Sequence, residues 1–328
     1  PLRRQRQMCI RDRRTTQGTL VSEVTLAWLT LGANREQLAL QKETLASQEE
    51  SFRLVGESYK YGAASRLDYE QARTTVASAR AAITTYVRAV AQSKNALELL
   101  VGSKVPDELQ PSGVELAATL PATLPAGLPS EVLLNRPDII SAERGMISAN
   151  ANIGAARAAL FPSTSLTANA GSASAHLSDL FRANTGLWSF TPSISIPIFT
   201  GGRNLANLRS AEVQEKIAVA TYEKSIQTAF QEVAGALATE GTVERELKER
   251  REFADAASQA FELSSARYKH GAAAYTEVLD AQRTKVSAQQ AVITAELSRA
   301  SSLVTLYKVL GGGTELPEPA KTTEGAEK

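Results

Sequence analysis

Tyr59-Lys60-Tyr61-Gly62-Ala63-Ala64 and Tyr268-Lys269-His270-Gly271-Ala272-Ala273 are two versions of one phrase, standing 209 residues apart. The match extends outward from them, without insertion or deletion, over Glu23–Gly102 and Glu232–Gly311. Glu23-Val24, Ala27, Thr30 and Gly32 return as Glu232-Val233, Ala236, Thr239 and Gly241, and 24 of the 80 positions are identical. One supersecondary unit is used twice, so the residues between the copies have to be read against that symmetry.

Each copy reads as a helical hairpin. Leu38, Gln41, Leu45, Gln48, Phe52, Val55 and Tyr59 recur at alternating steps of three and four, the seam of a coiled coil. Gly62 supplies the left-handed residue that ends a helix, and Ser65 is placed to cap the next. The second helix has its own seam at Ala72, Val76, Ala79, Ile83, Tyr86, Val90, Ser93 and Leu97. With so few residues between them, the two helices must fold back antiparallel. The other copy turns at Gly271, and its second helix shows two seams. One is Val286, Gln290, Ile293, Leu297, Ala300, Val304 and Tyr307; the weaker is Ala281, Ala288, Val292, Ala295, Ser302 and Leu306. A helix with two seams has neighbours on two flanks, which suits a wall or tube; the alternative is two sides of a globular bundle. From Arg203 to Lys269 nothing breaks the helical pattern, a span on the order of 100 Å. A further helix is therefore expected to complete the partner of that span, with Asp138 to Ala159 as the candidate.

The 328 residues carry a formal charge of +1, and only 5% are aromatic. Such a composition favours long helices over a thick core. No apolar run reaches the 18 residues a membrane-spanning helix needs. Residues 1–13 read as foreign: Met8-Cys9-Ile10-Arg11-Asp12-Arg13 resembles the translation of a transposon-end sequencing adaptor, the alternative being a basic N-terminal arm. On the first reading Cys9, the only cysteine, says nothing about redox compartment. Removing the segment's five Arg and one Asp takes the net charge from +1 to −3, leaving no basic surface to suggest nucleic acid.

Between the copies the character changes. Residues 103–135 hold prolines at 106, 111, 121, 125 and 129 and read as a connector; residues 136–160 read as a helix opened by Arg136-Pro137-Asp138. Then Trp188, Phe190, Pro192, Ile194, Ile196 and Ile198 alternate with Ser189, Thr191, Ser193, Ser195 and Pro197. That is a strand with a bulky apolar face and a hydroxyl face. Ser165 to Gly171 alternates more weakly, so residues 161–200 read as a β-hairpin. It is either the edge of a soluble sheet or a membrane-crossing hairpin, apolar toward lipid and polar toward water. Two strands cannot cross a bilayer alone, because their edges would leave backbone groups unpaired. The second reading therefore needs strands from elsewhere.

These features, taken with several segments of sequence, resemble the outer membrane factor family, the TolC-like exit ducts of Gram-negative bacteria, and its OprM/NodT branch of efflux lipoproteins in particular. The segments are Leu128-Pro129-Ser130-Glu131, Asn135-Arg136-Pro137-Asp138-Ile139, Ala149 to Ala156, Phe161-Pro162-Ser163, Pro192 to Phe199, Tyr222 to Phe230 and Leu279-Asp280-Ala281-Gln282-Arg283. The resemblance implies a mainly α fold with a transmembrane β-hairpin: long coiled-coil helices in a periplasmic tunnel and strands of a trimeric 12-stranded barrel in the outer membrane. It also implies a homotrimer that meets a periplasmic adaptor and an inner-membrane RND pump and conducts small molecules or drugs passively. Set against the family pattern, residues 14–102 are a first hairpin whose strand pair lies upstream, residues 201–311 a second, and residues 312–328 a disordered tail.

The resemblance assigns roles to individual residues. Asp280 and Arg283 match the constriction at the periplasmic end, with Thr276 where relatives often have leucine. At spacing three the same pair also reads as a solvated ion pair within one helix. Tyr61, Gly62, Arg66, Lys269, Gly271 and Tyr275 become candidate adaptor contacts, and Trp188, Phe190, Ile194, Ile196 and Ile198 face lipid. Enzyme chemistry finds little footing: His176 and His270 are far apart in sequence, no phosphate-binding loop appears, and no metal or cofactor is expected. The rival reading is a soluble periplasmic coiled-coil scaffold or efflux adaptor.

Overall fold

Gly62 and Gly271 stop two long helices in the same way. In this computed structural model, residues 2–113, 136–181 and 183–312 are described, residues 2–12 and 14 by their backbone alone. Both glycines have positive φ, +75° and +70°. Gly62 N–H donates to the Tyr59 carbonyl and Ala63 N–H to that of Ser58, at 3.0 and 2.8 Å; Gly271 and Ala272 repeat the pattern onto Tyr268 and Arg267. This is the Schellman ending, which a side chain in the left-handed region would strain.

The helices are α1 (Leu2–Lys60), α2 (Arg66–Val101), α3 (Pro137–Ala158), α4 (Arg203–Lys269) and α5 (Tyr275–Val309). Two strands, β1 (Ser163–Ser172) and β2 (Gly186–Ser195), lie between α3 and α4. The backbone of α1 takes in residues 2–13, the stretch read as foreign. The chain divides into two compact units: Pro1–Arg11 with Asp138–Gln227, and Asp12–Pro137 with Thr228–Lys328.

The second of these units holds the paired hairpins. On α2, Ala72, Val76, Ala79 and Leu97 are buried and Ile83, Tyr86, Val90 and Ser93 half-buried, so all eight seam positions face inward. Both seams of α5 are used. Ile293, Ala300 and Val304 pack with Leu29 and Ala33 of α1. On the other flank Ala288 meets Ala254 and Ala257 of α4, and Leu306 and Val309 meet Ala236. Of the first α5 seam, Tyr307 departs from expectation and stays half exposed. Alanines at these contacts let the helix axes come close. Polar groups join these contacts too: the Gln37 amide of α1 donates to the Gln290 carbonyl at 3.1 Å, and the Gln290 amide reaches the Tyr86 hydroxyl of α2 at 3.4 Å.

The connector after α2 begins by lying back over α1. A short 3-10 turn spans Asp107–Leu109, the Trp28 indole donates to the Leu109 carbonyl at 2.9 Å, and Arg35 donates to the Pro111 carbonyl at 2.8 Å. The rest of the connector, 114–135, and the tail from 313 lie outside the described residues. Gly312 does not belong with the tail. Its N–H donates to the Tyr307 carbonyl at 3.0 Å, so it completes the turn that ends the hairpin.

In the first-named unit, Asn204 near the start of α4 donates to the carbonyl of Ala159 at 2.9 Å, linking it to the end of α3. β1 and β2 pair antiparallel, with Ser163 opposite Ser195 and Ser172 opposite Gly186. The apolar alternation continues to Ile198, but the ladder stops at Ser195. Its partner runs out there: Pro162, just before β1, has no N–H to donate. Ile196 and Ile198 therefore lie beyond the strand.

Candidate functional site

Three surfaces bear on function: the hairpin tips, an exposed ridge of α5 and the two faces of the β-hairpin. At the first tip Ser65 Oγ accepts the Asp68 N–H at 3.1 Å while the Asp68 carboxylate accepts the Ser65 N–H at 3.1 Å, a complete capping box. Ala274 occupies the equivalent place with the same backbone angles, and its side chain has no hydrogen bond to give.

Behind the caps the two tips share one apolar cluster of Val55, Ala72, Tyr275, Val278 and Leu279, edged by Phe52, Tyr69, Phe261 and Tyr268. Phe52 and Tyr59 lie 5.2 and 5.4 Å from Tyr69, and Tyr268 lies 5.2 Å from Tyr275, within the range of favourable aromatic pairing. Burial pushes the Tyr275 hydroxyl up to about 12, with Tyr268 and Asp68 adding to the effect. Tyr268 is raised for the same first reason.

This corrects one expectation. Tyr275 is only 4% exposed, so it is core of the tip and has no surface to offer an adaptor. It opens a helix next to a turn, which is why local reading put it outside; the first hairpin is what covers it. Tyr61, at 87% exposure, together with Arg66 and Lys269 does lie on the surface. Arg53, a little way back on α1, pairs with Glu50 and Glu57 and holds the Glu50 carboxyl below its usual range.

Thr276, Asp280 and Arg283 lie at helical spacing on one exposed strip of α5. Arg283 sits 3.6 Å from the Asp280 carboxylate, both side chains more than two-thirds exposed. In a single chain such a pair contributes little to stability.

Every residue of both strands is exposed. The register puts Trp188, Phe190, Pro192 and Ile194 opposite Ala170, Ala168, Leu166 and Thr164, so one face is apolar along most of its length. The other face carries Ser189, Thr191, Ser193 and Ser195 against Asn169, Thr167, Ser165 and Ser163. Hydroxyls touch across it, Ser165 to Ser193 at 2.7 Å. A two-faced sheet of this kind, uncovered on its apolar side, does not fit a soluble core. The model of the outer membrane efflux protein family matches residues 3–103 and 128–312.

The chain belongs to the outer membrane efflux protein family.

Among relatives within this family, the solvent efflux pump outer membrane protein SrpC of Pseudomonas putida is 48% identical over 300 residues, 92% of this chain and 64% of its own length. Outer membrane protein OprJ of Pseudomonas aeruginosa is 43% identical over 294 residues, covering 90% and 61%. The chain thus spans less than two-thirds of the curated relatives it matches. A membrane protein from Pseudomonas aeruginosa superposes with a TM-score of 0.81 at 41% identity, covering 94% of this chain and 69% of that one. The open state of the Neisseria gonorrhoeae MtrE outer membrane channel does so at 0.76 and 37%, covering 94% and 69%. The fold is therefore that of the TolC-like outer membrane channels. Among the described residues no helix is long and apolar enough to cross a membrane, and no three His, Cys, Asp or Glu side chains cluster as metal ligands.

Two features of this efflux-family chain escaped sequence reasoning. One is the shared aromatic core of the tips, signalled by Phe52 and Tyr59 returning as Phe261 and Tyr268. The other is Arg136, which in sequence is no more than the residue before a helix start. Its buried guanidinium donates to the Glu232 carboxylate at 2.7 Å and to the Val309 carbonyl at 2.9 Å.

Proposed function

We propose that this chain is part of an outer membrane exit duct of a tripartite efflux pump, passing small molecules from periplasm to exterior without catalysis. The observation that carries the reading is the β1–β2 register, which gives one fully exposed apolar face and one hydroxyl face. Lipid on the first and water on the second satisfy both, once further strands close the edges. Those strands would come from the remaining length of the protein and from two other copies in a homotrimer. The cargo would be small organic compounds, since the relatives are named for solvent, toluene and antibiotic efflux. Energy would come from an inner-membrane RND pump through a periplasmic adaptor, docked at the tips around Tyr61, Gly62, Arg66, Lys269 and Gly271.

Asp280 and Arg283 would stand at the periplasmic constriction. Threefold symmetry would bring three copies of the exposed pair together, where like charges repel and neighbouring Asp–Arg contacts hold the closed state. Bilayer conductance of the full-length protein tests the proposal. Cation-preferring steps from trimers support it, with larger steps from Asp280→Asn and Arg283→Gln variants. Full-length protein released without detergent and giving no conductance supports the soluble scaffold instead.

A further inference from the structure

The repeat contains an ion pair in one copy and half of it in the other. In the second copy, the Arg136 side chain is 9% exposed and is held by the Glu232 carboxylate and the Val309 carbonyl. A Cβ on Gly311 would stand 3.7 Å from Arg136 Cγ, so the arginine stem lies against that glycine. Subtracting 209 gives Glu23, Leu100 and Gly102. All three elements of the socket are thus present in the first copy: the carboxylate, a carbonyl in the last turn of a helix where no later N–H reaches it, and the glycine.

Nothing fills that socket among the described residues. Glu23 is exposed with no ion-pair partner among the described residues, and a Cβ on Gly102 would meet nothing within 4 Å. Beside it Leu20 of α1 and Val101 at the end of α2 stand in solvent, at 43% and 45% exposure. Ala229, the counterpart of Leu20, is fully buried.

We infer that Glu23 and the end of α2 form a docking socket for an arginine that heads a helix, as Arg136 heads α3, supplied by sequence outside these 328 residues. The repeated carboxylate, carbonyl and glycine specify a planar, multi-donor cation, which arginine provides and lysine does not. The exposed apolar residues beside it specify that the cation arrives on a helix with an apolar face. Relatives have room for such a segment, since this chain spans about 64% of SrpC. Arg136 precedes Glu232 by 96 residues. The partner arginine is therefore expected about 96 residues before Glu23 in the longer protein, by the same repeat.

The test uses the full-length protein. The gene upstream should encode an arginine within one helical turn of that position. Thermal melts of Glu23→Gln, of that arginine to leucine and of both together should then be non-additive, as should the matched set Glu232→Gln with Arg136→Leu. A charge swap across the first pair should recover most of the lost melting temperature. Cysteines at the two positions should be joined within one chain by a short bifunctional thiol crosslinker, since side chains that meet tip to tip stand too far apart for a direct disulfide. No arginine in that window, additive melting shifts, or a crosslink that joins two copies of the chain would each overturn the proposal.

Discussion

Replacing Tyr275 with alanine should release the two hairpin tips from one another. The Tyr275 ring is 4% exposed and packs on Val55 of α1 and Ala72 of α2, with Tyr268 5.2 Å away. Truncating a buried aromatic to alanine costs about 3–5 kcal/mol, through lost transfer energy and the cavity left behind. At about 1.4 kcal/mol per decade, that raises the population of opened tips by roughly two to three and a half orders of magnitude. Native-state hydrogen exchange reads this locally. Amides of residues 52–72 and 261–282 should lose protection by that factor. Those near Leu29, Ala33 and Ala300, in a separate cluster, should change little. Tyr275→Phe keeps the ring and should exchange like the parent at neutral pH. Tip amides that stay within about threefold of the parent in Tyr275→Ala, or a loss spread evenly along the helices, would refute the shared core.

The same tyrosine carries a pH dependence. Its folded value of about 12 lies above the ordinary value near 10, so the associated stability is complete below pH 10 and lost as pH rises through 12. Urea midpoints between pH 9 and 12 should fall more steeply for the parent than for Tyr275→Phe, by about 2–3 kcal/mol in all. Ala274→Ser should stabilise the second tip by about 1 kcal/mol in a chemical melt, because the backbone already has the angles of Ser65 and Glu277 stands at the third position. Gly32→Ala would place a Cβ 2.7 Å from the Gly113 carbonyl oxygen and should cost about 1–3 kcal/mol. Gly241→Ala, the equivalent change, meets nothing within 4 Å and should raise helix stability by about 0.5–1 kcal/mol in the same assay.

Much of the fold was legible because its signals are local and repeated. The turn glycines, the Ser65 cap and the seams of α2 and α5 each follow from a few residues of spacing, and the second copy of the unit reinforces the first. The alternation in β2 was equally plain, but its end was not. Ile196 and Ile198 keep the alternation while the ladder stops, because a strand ends where its partner does, and β1 begins only at Ser163. Tyr275 was misplaced for a related reason: its burial is produced by α1 and α2, more than 200 residues earlier in the chain. Arg136 was hidden by its neighbours, since Arg-Pro-Asp reads as a helix start and nothing in it announces a carboxylate 96 residues on. The repeat did contain that information, because Glu23 and Glu232 match, but only the structure shows that one is engaged and the other open.

The central claim is that the β-hairpin separates lipid from water. Nitroxide labels placed singly at residues 187–195 of the full-length protein in lipid bilayers test it most directly. The account predicts oxygen accessibility highest at 188, 190, 192 and 194, with accessibility to a water-soluble nickel reagent highest at 189, 191 and 193. Uniform access of the nickel reagent to all nine positions, with no alternation of period two, would contradict it.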